Sequence, residues 1–174
     1  MHPLSIAFSE IYEEGITRHF VVSGSTLGMA DSEVAAAQPV EIDCQLMRIH
    51  RDVVVHGFVE TALRLVCGRC TEEFVLPLRA PLEAVYLPAQ MATTEREKEL
   101  EDGGADVYCY REHLVDLGEM VRDKLLLSIP LQPICRMGCR GLCPFCGVNW
   151  NLNTCQCAQA GLGSPFHLLR ELRF

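Results

Sequence analysis

The sequence has no run of about 18 apolar residues, the length a membrane-spanning helix needs, so no transmembrane segment is expected. Its opening residues, MHPLSIAFSEIYEEG, lack the basic head and long apolar stretch of a secretory signal. None of the six histidines falls in an H-x-x-H or H-E-x-x-H pattern, and lone residues such as His113 and His167 read as structural. There is no phosphate loop, no G-x-S-x-G elbow and no paired-carboxylate motif, so enzymatic activity has no positive support. Aromatic residues are scarce, at 7%, with a single tryptophan. At 49% apolar the chain is nevertheless too hydrophobic to be disordered.

Ten cysteines in 174 residues make about 6%, below the roughly 8–10% of a small disulfide scaffold. A chain of this length can bury a real core as one domain, with room for a small appendage. Without a leader it reads as cytoplasmic, where thiols stay reduced and clustered cysteines point to metal or catalysis before disulfides. Six of the ten cysteines lie within residues 135–157.

The net charge of −8 is unevenly spread. Residues 1–110 carry 8 Lys/Arg against 18 Asp/Glu, whereas residues 111–174 carry 7 against 5. An acidic body argues against a broad phosphate-gripping surface, so any contact with nucleic acid is expected in the C-terminal third.

Alternating apolar residues mark three strands. A short strand at Thr17 to Val22 and a loop with a helical turn come first. Over Pro39–His50, Val40, Ile42, Cys44 and Leu46 alternate with Glu41, Asp43 and Gln45, the period-two mark of a half-buried strand. After a turn at Arg51-Asp52, Val53, Val55, Val59, Leu63, Leu65 and Cys67 share one face, with His56, Glu60 and Arg64 opposite and Gly57 read as a bend or bulge. A third strand places Phe74, Leu76, Leu78, Leu82 and Tyr86 on one side, and Pro77 and Pro81 on the other predict an edge strand. The three form an antiparallel meander whose second turn is Cys67-Gly68-Arg69-Cys70.

Residues 88–106 are polar, acidic and glycine-ended, and read as a mobile loop. A helix is expected from Asp116, capped by Asp116 with Glu119, burying Leu117, Met120, Val121 and Leu125 and closing at Pro130. A last helix is expected from Ser164-Pro165, burying Leu168, Leu169 and Leu172. The predicted fold is α+β: an antiparallel β-meander or partly open barrel, with flanking helices and a C-terminal zinc-knuckle segment. The expected division is a β domain over 1–110 and a helix plus Cys-rich segment over 111–174.

From Cys135 the chain reads CRMGCRGLCPFCGVNWNLNTCQC. Cys143-Pro144-Phe145-Cys146-Gly147 has the form of a zinc knuckle, in which two intervening residues let both thiolates reach one ion. Cys135, Cys139, Cys155 and Cys157 are the nearest further ligands. Free core thiols, disulfides and an iron–sulfur cluster are the competing readings, with structural zinc ahead of them. Cys67 and Cys70 form a second pair, read as a metal knuckle, a redox couple or plain thiols. The redox reading needs a helix after the pair to lower a thiol pKa, and TEEFVLPLRAPLEAVY is strand-like instead. One layout puts Cys67, Cys70, Cys135 and Cys139 on one ion and Cys143, Cys146, Cys155 and Cys157 on another. Cys44 and Cys109 stand alone, Cys44 as core packing. The segment between the cysteines offers Arg136, Arg140 and Trp150 for contact with RNA or a partner, with the alternative that Trp150 covers the metal.

Three stretches together resemble the YceD family, the large ribosomal RNA subunit accumulation proteins: Cys67-Gly-Arg-Cys70 followed by Thr-Glu-Glu-Phe; Asp116 through Ile129-Pro130 to Cys135; and Cys139-Arg-Gly-Leu-Cys-Pro-Phe-Cys-Gly147 with Asn151 after it. The likeness runs over roughly residues 38–174. It departs at Thr71, where leucine is usual, and at Ser164-Pro165-Phe166, where Asp-Pro-Arg is common. The resemblance implies a bacterial, non-enzymatic factor supporting 23S rRNA accumulation and large-subunit assembly, with 23S rRNA or a large-subunit ribosomal protein as partner. The alternatives are a thiol redox protein acting through Cys67 and Cys70, and a zinc-stabilised interaction module without RNA contact.

Overall fold

A computed structural model describes residues 3–30, 34–89 and 106–157. The chain divides into two compact units: residues up to Leu65 together with Val75–Leu131, and Val66–Phe74 together with the residues from Gln132 onward. This grouping puts the helix with the strands, whereas the sequence reading placed it with the cysteines.

In the first unit the strands are β1 (Ser5–Ala7), β2 (Ile16–Val22), β3 (Ala35–Ala36), β4 (Val40–Ile49), β5 (Asp52–Val66), β6 (Glu73–Pro88), β7 (Asp106–Tyr110) and β8 (Leu114–Asp116). A six-stranded sheet runs β2-β4-β5-β6-β7, with β3 paired on β5. β1 and β8 form a separate antiparallel pair. Among the described residues β2 and β7 end the sheet without pairing to each other, so it is an open sheet and not a closed barrel.

The alternating faces behave as their pattern dictates. Val40, Ile42, Cys44 and Leu46 of β4, and Val53, Val55, Val59, Leu63 and Leu65 of β5, are all buried. Each large aliphatic side chain removed from water stabilises by about 1.5–3 kcal/mol. β4 and β5 meet across a two-residue loop, with Ile49 opposite Asp52. The loop is therefore His50-Arg51, one residue earlier than expected, and His50 takes the left-handed conformation at φ 58°. β5 and β6 are hydrogen-bonded neighbours, and their short connection can join only antiparallel strands.

Three expectations need correction. The register from Glu41↔Glu60 to Ile49↔Asp52 is unbroken through Gly57, so there is no bulge there. A Cβ at Gly57 would lie 2.1 Å from the Asp43 carbonyl oxygen and 2.7 Å from Cys44 Cα, so glycine is required by the approach of the neighbouring backbone. β6 is not an outer strand, because β7 pairs with it, and in parallel. That register covers only Ala84–Pro88, leaving Pro77 and Pro81 clear of it, where their missing N–H groups break no bond to β7. The sheet is thus not wholly antiparallel. The chain between Pro88 and Asp106 is long enough for the crossover that a parallel pair demands.

One α-helix lies among the described residues, α1 (Gly118–Leu127). Leu117, Met120, Val121 and Leu125 are fully buried. Leu117, just before the helix, already has helical backbone at φ −85° and ψ −8°, and the side chain of Asp116 caps the helix, accepting the Gly118 N–H at 2.8 Å. A short 3₁₀ turn at Gly24–Leu27 is the helical turn expected in the early loop. No helix among the described residues is long and apolar enough to cross a membrane. The expected loop at 88–106 falls largely, and the helix from Ser164-Pro165 wholly, outside the described residues.

Candidate metal centres

Among the described residues of the second unit, the buried side chains are those of Cys67, Cys70, Cys139 and Cys143. The β5–β6 turn is closed by the Cys67 N–H bonding to Glu72 O at 2.9 Å and the Thr71 N–H to Cys67 O at 2.9 Å. Thr71 sits at φ 59°, a left-handed conformation that a β-branched residue adopts only under strain. Backbone from the distant cysteine segment joins the turn: Gly68 N–H donates to Pro133 O at 2.8 Å and Leu142 N–H to Arg69 O at 3.0 Å.

These bonds bring Cys67 and Cys70 beside Cys135 and Cys139. The four sulfurs lie within 4.8 Å of one another. Cys67 Sγ is 3.8 Å from Cys139 Sγ, and Cys70 Sγ is 3.8 Å from Cys135 Sγ. Cys67, Cys70 and Cys139 are buried, with Phe74 and Ile134 packed against them. Cys143, Cys146, Cys155 and Cys157 form a second group whose sulfurs again lie within 4.8 Å of one another. Here Gly147, at φ 73°, turns the chain after the knuckle, and its N–H bonds to Cys143 O at 2.9 Å. An antiparallel bridge between Leu142 and Asn149 closes the loop that carries Cys143 and Cys146.

Distance tests what each group can hold. A disulfide brings its sulfurs to about 2.05 Å, so pairs at 3.8 Å are unbonded thiols. Four sulfurs set tetrahedrally at about 2.3 Å from one zinc ion stand about 3.8 Å apart, the spacing seen in the first group. An iron–sulfur cluster spreads its cysteines over several irons, which demands wider separations than a group confined to 4.8 Å. Each foursome therefore fits a single soft divalent ion.

The electrostatics favour metal uptake. Burial pushes the Cys67 thiol up, but the backbone N–H groups of Cys135, Arg69 and Cys70 outweigh it and bring it down to about 6. Cys143 is likewise lowered to about 6, chiefly by the Cys146 N–H. The Asn151 amide is the largest influence lowering Cys139. Two of their neighbours are shifted the other way. Burial raises Cys135 to about 12, and the hydrogen bond with Cys146 is the first cause raising Cys157 to about 12. Each group thus mixes thiolates that can take an ion at neutral pH with thiols whose protons the ion would displace.

The remaining singled-out residues have defined places. Trp150 is half-buried, and its indole N–H points to Cys155 Sγ at 3.3 Å. Arg136 is exposed and donates to Asn151 Oδ1 at 2.9 Å, while Arg140 is exposed with its backbone N–H on the same oxygen at 3.0 Å. Asn149, Asn151 and Arg69 are site residues that spacing did not reveal. Asn151 Nδ2 donates to Cys139 Sγ at 3.4 Å, Asn149 Nδ2 to Glu72 Oε1 at 3.2 Å, and Arg69 Nη1 to Cys139 O at 3.2 Å. The N-W-N-L-N run held the signal, since amides packed between cysteines are suited to donate to sulfur. Of the two lone cysteines, Cys44 is buried in β4 and Cys109 is exposed on β7.

Comparison with known proteins gives a consistent picture. Residues 55–173 match the family model described as "Large ribosomal RNA subunit accumulation protein YceD". The chain is 27% identical over 128 residues to an uncharacterized protein of Mycobacterium tuberculosis (strain ATCC 25618 / H37Rv), covering 74% of this chain and 59% of that protein. It is 26% identical over 156 residues to the chloroplastic large ribosomal RNA subunit accumulation protein YCED homolog 1 of Arabidopsis thaliana, covering 78% and 49% respectively. The protein of the same name in Zea mays is 26% identical over 166 residues, covering 78% and 54%. The chain thus spans about half to six-tenths of the length of these curated relatives. No solved structure matches it.

Proposed function

This chain belongs to the YceD family, and on that premise we propose that it is a non-enzymatic, cytoplasmic ribosome-biogenesis factor supporting 23S rRNA accumulation and large-subunit assembly. The observation that carries the reading is the family match over residues 55–173, which encloses all eight clustered cysteines. Zinc is the ion the thiol groups fit best, held by Cys67, Cys70, Cys135 and Cys139 in one centre and by Cys143, Cys146, Cys155 and Cys157 in the other. When bound it supplies folding energy, on the order of 10–16 kcal/mol for a structural site. Four thiolates close the coordination sphere and leave no position for a reacting water, which is why the reading is structural and not catalytic.

The zinc-ordered segment presents Arg140, Phe145 and Arg136 as the contact surface. Phe145 is half-exposed and both arginines are exposed. Arginine with an exposed aromatic ring suits looped or single-stranded rRNA. The acidic strand-bearing half of the chain would attract a basic ribosomal protein instead. Binding of the metal-loaded full chain to 23S rRNA fragments at increasing salt separates the partners: a steep loss of affinity is expected for phosphate contact. Salt-insensitive rRNA binding would contradict that contact, and capture of a ribosomal protein without rRNA binding would move the reading to a protein partner.

A second reading, a redox couple at Cys67 and Cys70, finds less support. The pair sits in a β-turn followed by β6 and shares its sulfur cluster with Cys135 and Cys139. Fast thiol oxidation at that pair in the loaded protein would revive it.

A further inference from the structure

Two adjacent residues each reach a sulfur of a different cysteine group. Trp150 Nε1 donates to Cys155 Sγ at 3.3 Å, and Asn151 Nδ2 donates to Cys139 Sγ at 3.4 Å. We infer that the two four-cysteine centres load with metal as one cooperative unit, and that Trp150 and Asn151 are the positioning residues that couple them. The inference rests on reading both groups as metal centres, and it adds a property that the reading does not require.

The coupling is physical because the Trp150-Asn151 step is held on every side. Asn151 Oδ1 accepts the Arg140 N–H at 3.0 Å and the Arg136 guanidinium at 2.9 Å. Asn151 Nδ2 also donates to Asn149 Oδ1 at 2.8 Å, and Asn149 reaches Glu72 in the turn that carries Cys67 and Cys70. The Trp150 backbone N–H donates to Gly141 O at 2.9 Å, between Cys139 of one centre and Cys143 of the other. An N–H donor strengthens toward a sulfur that has become a metal-bound thiolate. Filling the first centre fixes Cys139, hence the Asn151 amide, hence the peptide that aims the Trp150 indole at Cys155. The second ion then meets a loop whose ordering entropy has already been lost. Reciprocity requires the same factor in the opposite order of loading.

The test is stepwise loading of the metal-free full chain with Co²⁺ under reducing conditions. Native mass spectrometry counts ions per chain, and cobalt–thiolate absorption reports the ligands. The expected result is two ions per chain, with the singly loaded species suppressed and the second ion binding about tenfold or more tighter than the first. Disabling one centre with Cys155→Ser and Cys157→Ser should weaken the other by a similar factor. Trp150→Phe keeps the ring and loses the N–H. It and Asn151→Ala should still bind two ions, but with a prominent singly loaded species. Each should also show a cobalt charge-transfer band moved to lower energy, since a sulfur relieved of its donor gives up charge more readily. Two ions loading independently in the unaltered chain, or both variants loading like it, would overturn the coupling while leaving the metal reading intact. Fewer than two ions would overturn both.

Discussion

Thiol counting with metal release tests the cysteine assignments from several directions. In the loaded protein eight of the ten thiols are committed to the two centres. Of the other two, Cys44 is 2% exposed, and burial pushes its thiol up to about 11. At pH 8 about one part in a thousand of it is thiolate, the reactive form, and a bulky reagent cannot reach it. Cys109 is exposed. A chromogenic disulfide reagent at pH 8 should therefore modify one thiol per chain quickly, and none after Cys109→Ser. A strong chelator should release two ions and make eight more thiols reactive, with Cys44 protected until β4 and β5 separate. Structural zinc contributes on the order of 10–16 kcal/mol, far more than local packing in this loop-rich unit can replace, so the eight should appear together. Three or more fast thiols in the loaded protein, or release of fewer than two ions, would refute the reasoning.

Two further predictions concern the sheet. Gly57→Ala places a methyl 2.1 Å from the Asp43 carbonyl oxygen, where only backbone can yield, and should cost about 3 kcal/mol in urea unfolding. Gly138→Ala meets nothing within 4 Å and should stay within about 0.5 kcal/mol; equal midpoints for the two variants would contradict this account. The Cys44 thiol is raised in the folded state from an ordinary value of 9.0 to about 11, so its contribution is full below pH 9 and is lost as pH rises toward 11. Unfolding free energy should fall by about 2–3 kcal/mol more across that window in the unaltered chain than in Cys44→Ala. Parallel pH profiles would remove the buried-thiol explanation.

How legible the molecule was depended on how local each feature is. Val40 to Leu46 and Val53 to Leu65 announced their strands, because one face of a sheet is buried and side chains alternate. β1 and β8, at three residues each, are too short to carry a period, and their pairing is purely tertiary. The same holds for the parallel β6–β7 register, which depends on where the chain returns after a long connection. Gly57 was visible as an exception, but two explanations fit a glycine in a strand, and only the position of Asp43 and Cys44 decides between them.

At the site, the spacing of Cys143 and Cys146 is a property of a few consecutive residues and could be read directly. That Cys67 and Cys70 meet Cys135 and Cys139 across some seventy residues could be offered only as one layout among several; their sulfur geometry now supports it. Trp150 carried two readings in sequence, base stacking beside arginine and cover for the metal, and its N–H pointing at Cys155 supports the second. Asn149 and Asn151 were legible only as polar loop residues, since an amide's role is fixed by what surrounds it.

The most direct measurement of the central claim is the ratio of 23S to 16S rRNA in cells depleted of this protein. The account expects 23S rRNA to fall relative to 16S, and the ratio to recover on re-expression of the unaltered chain and of Cys109→Ser, which leaves both cysteine groups whole. A ratio that stays level while the protein disappears would contradict it.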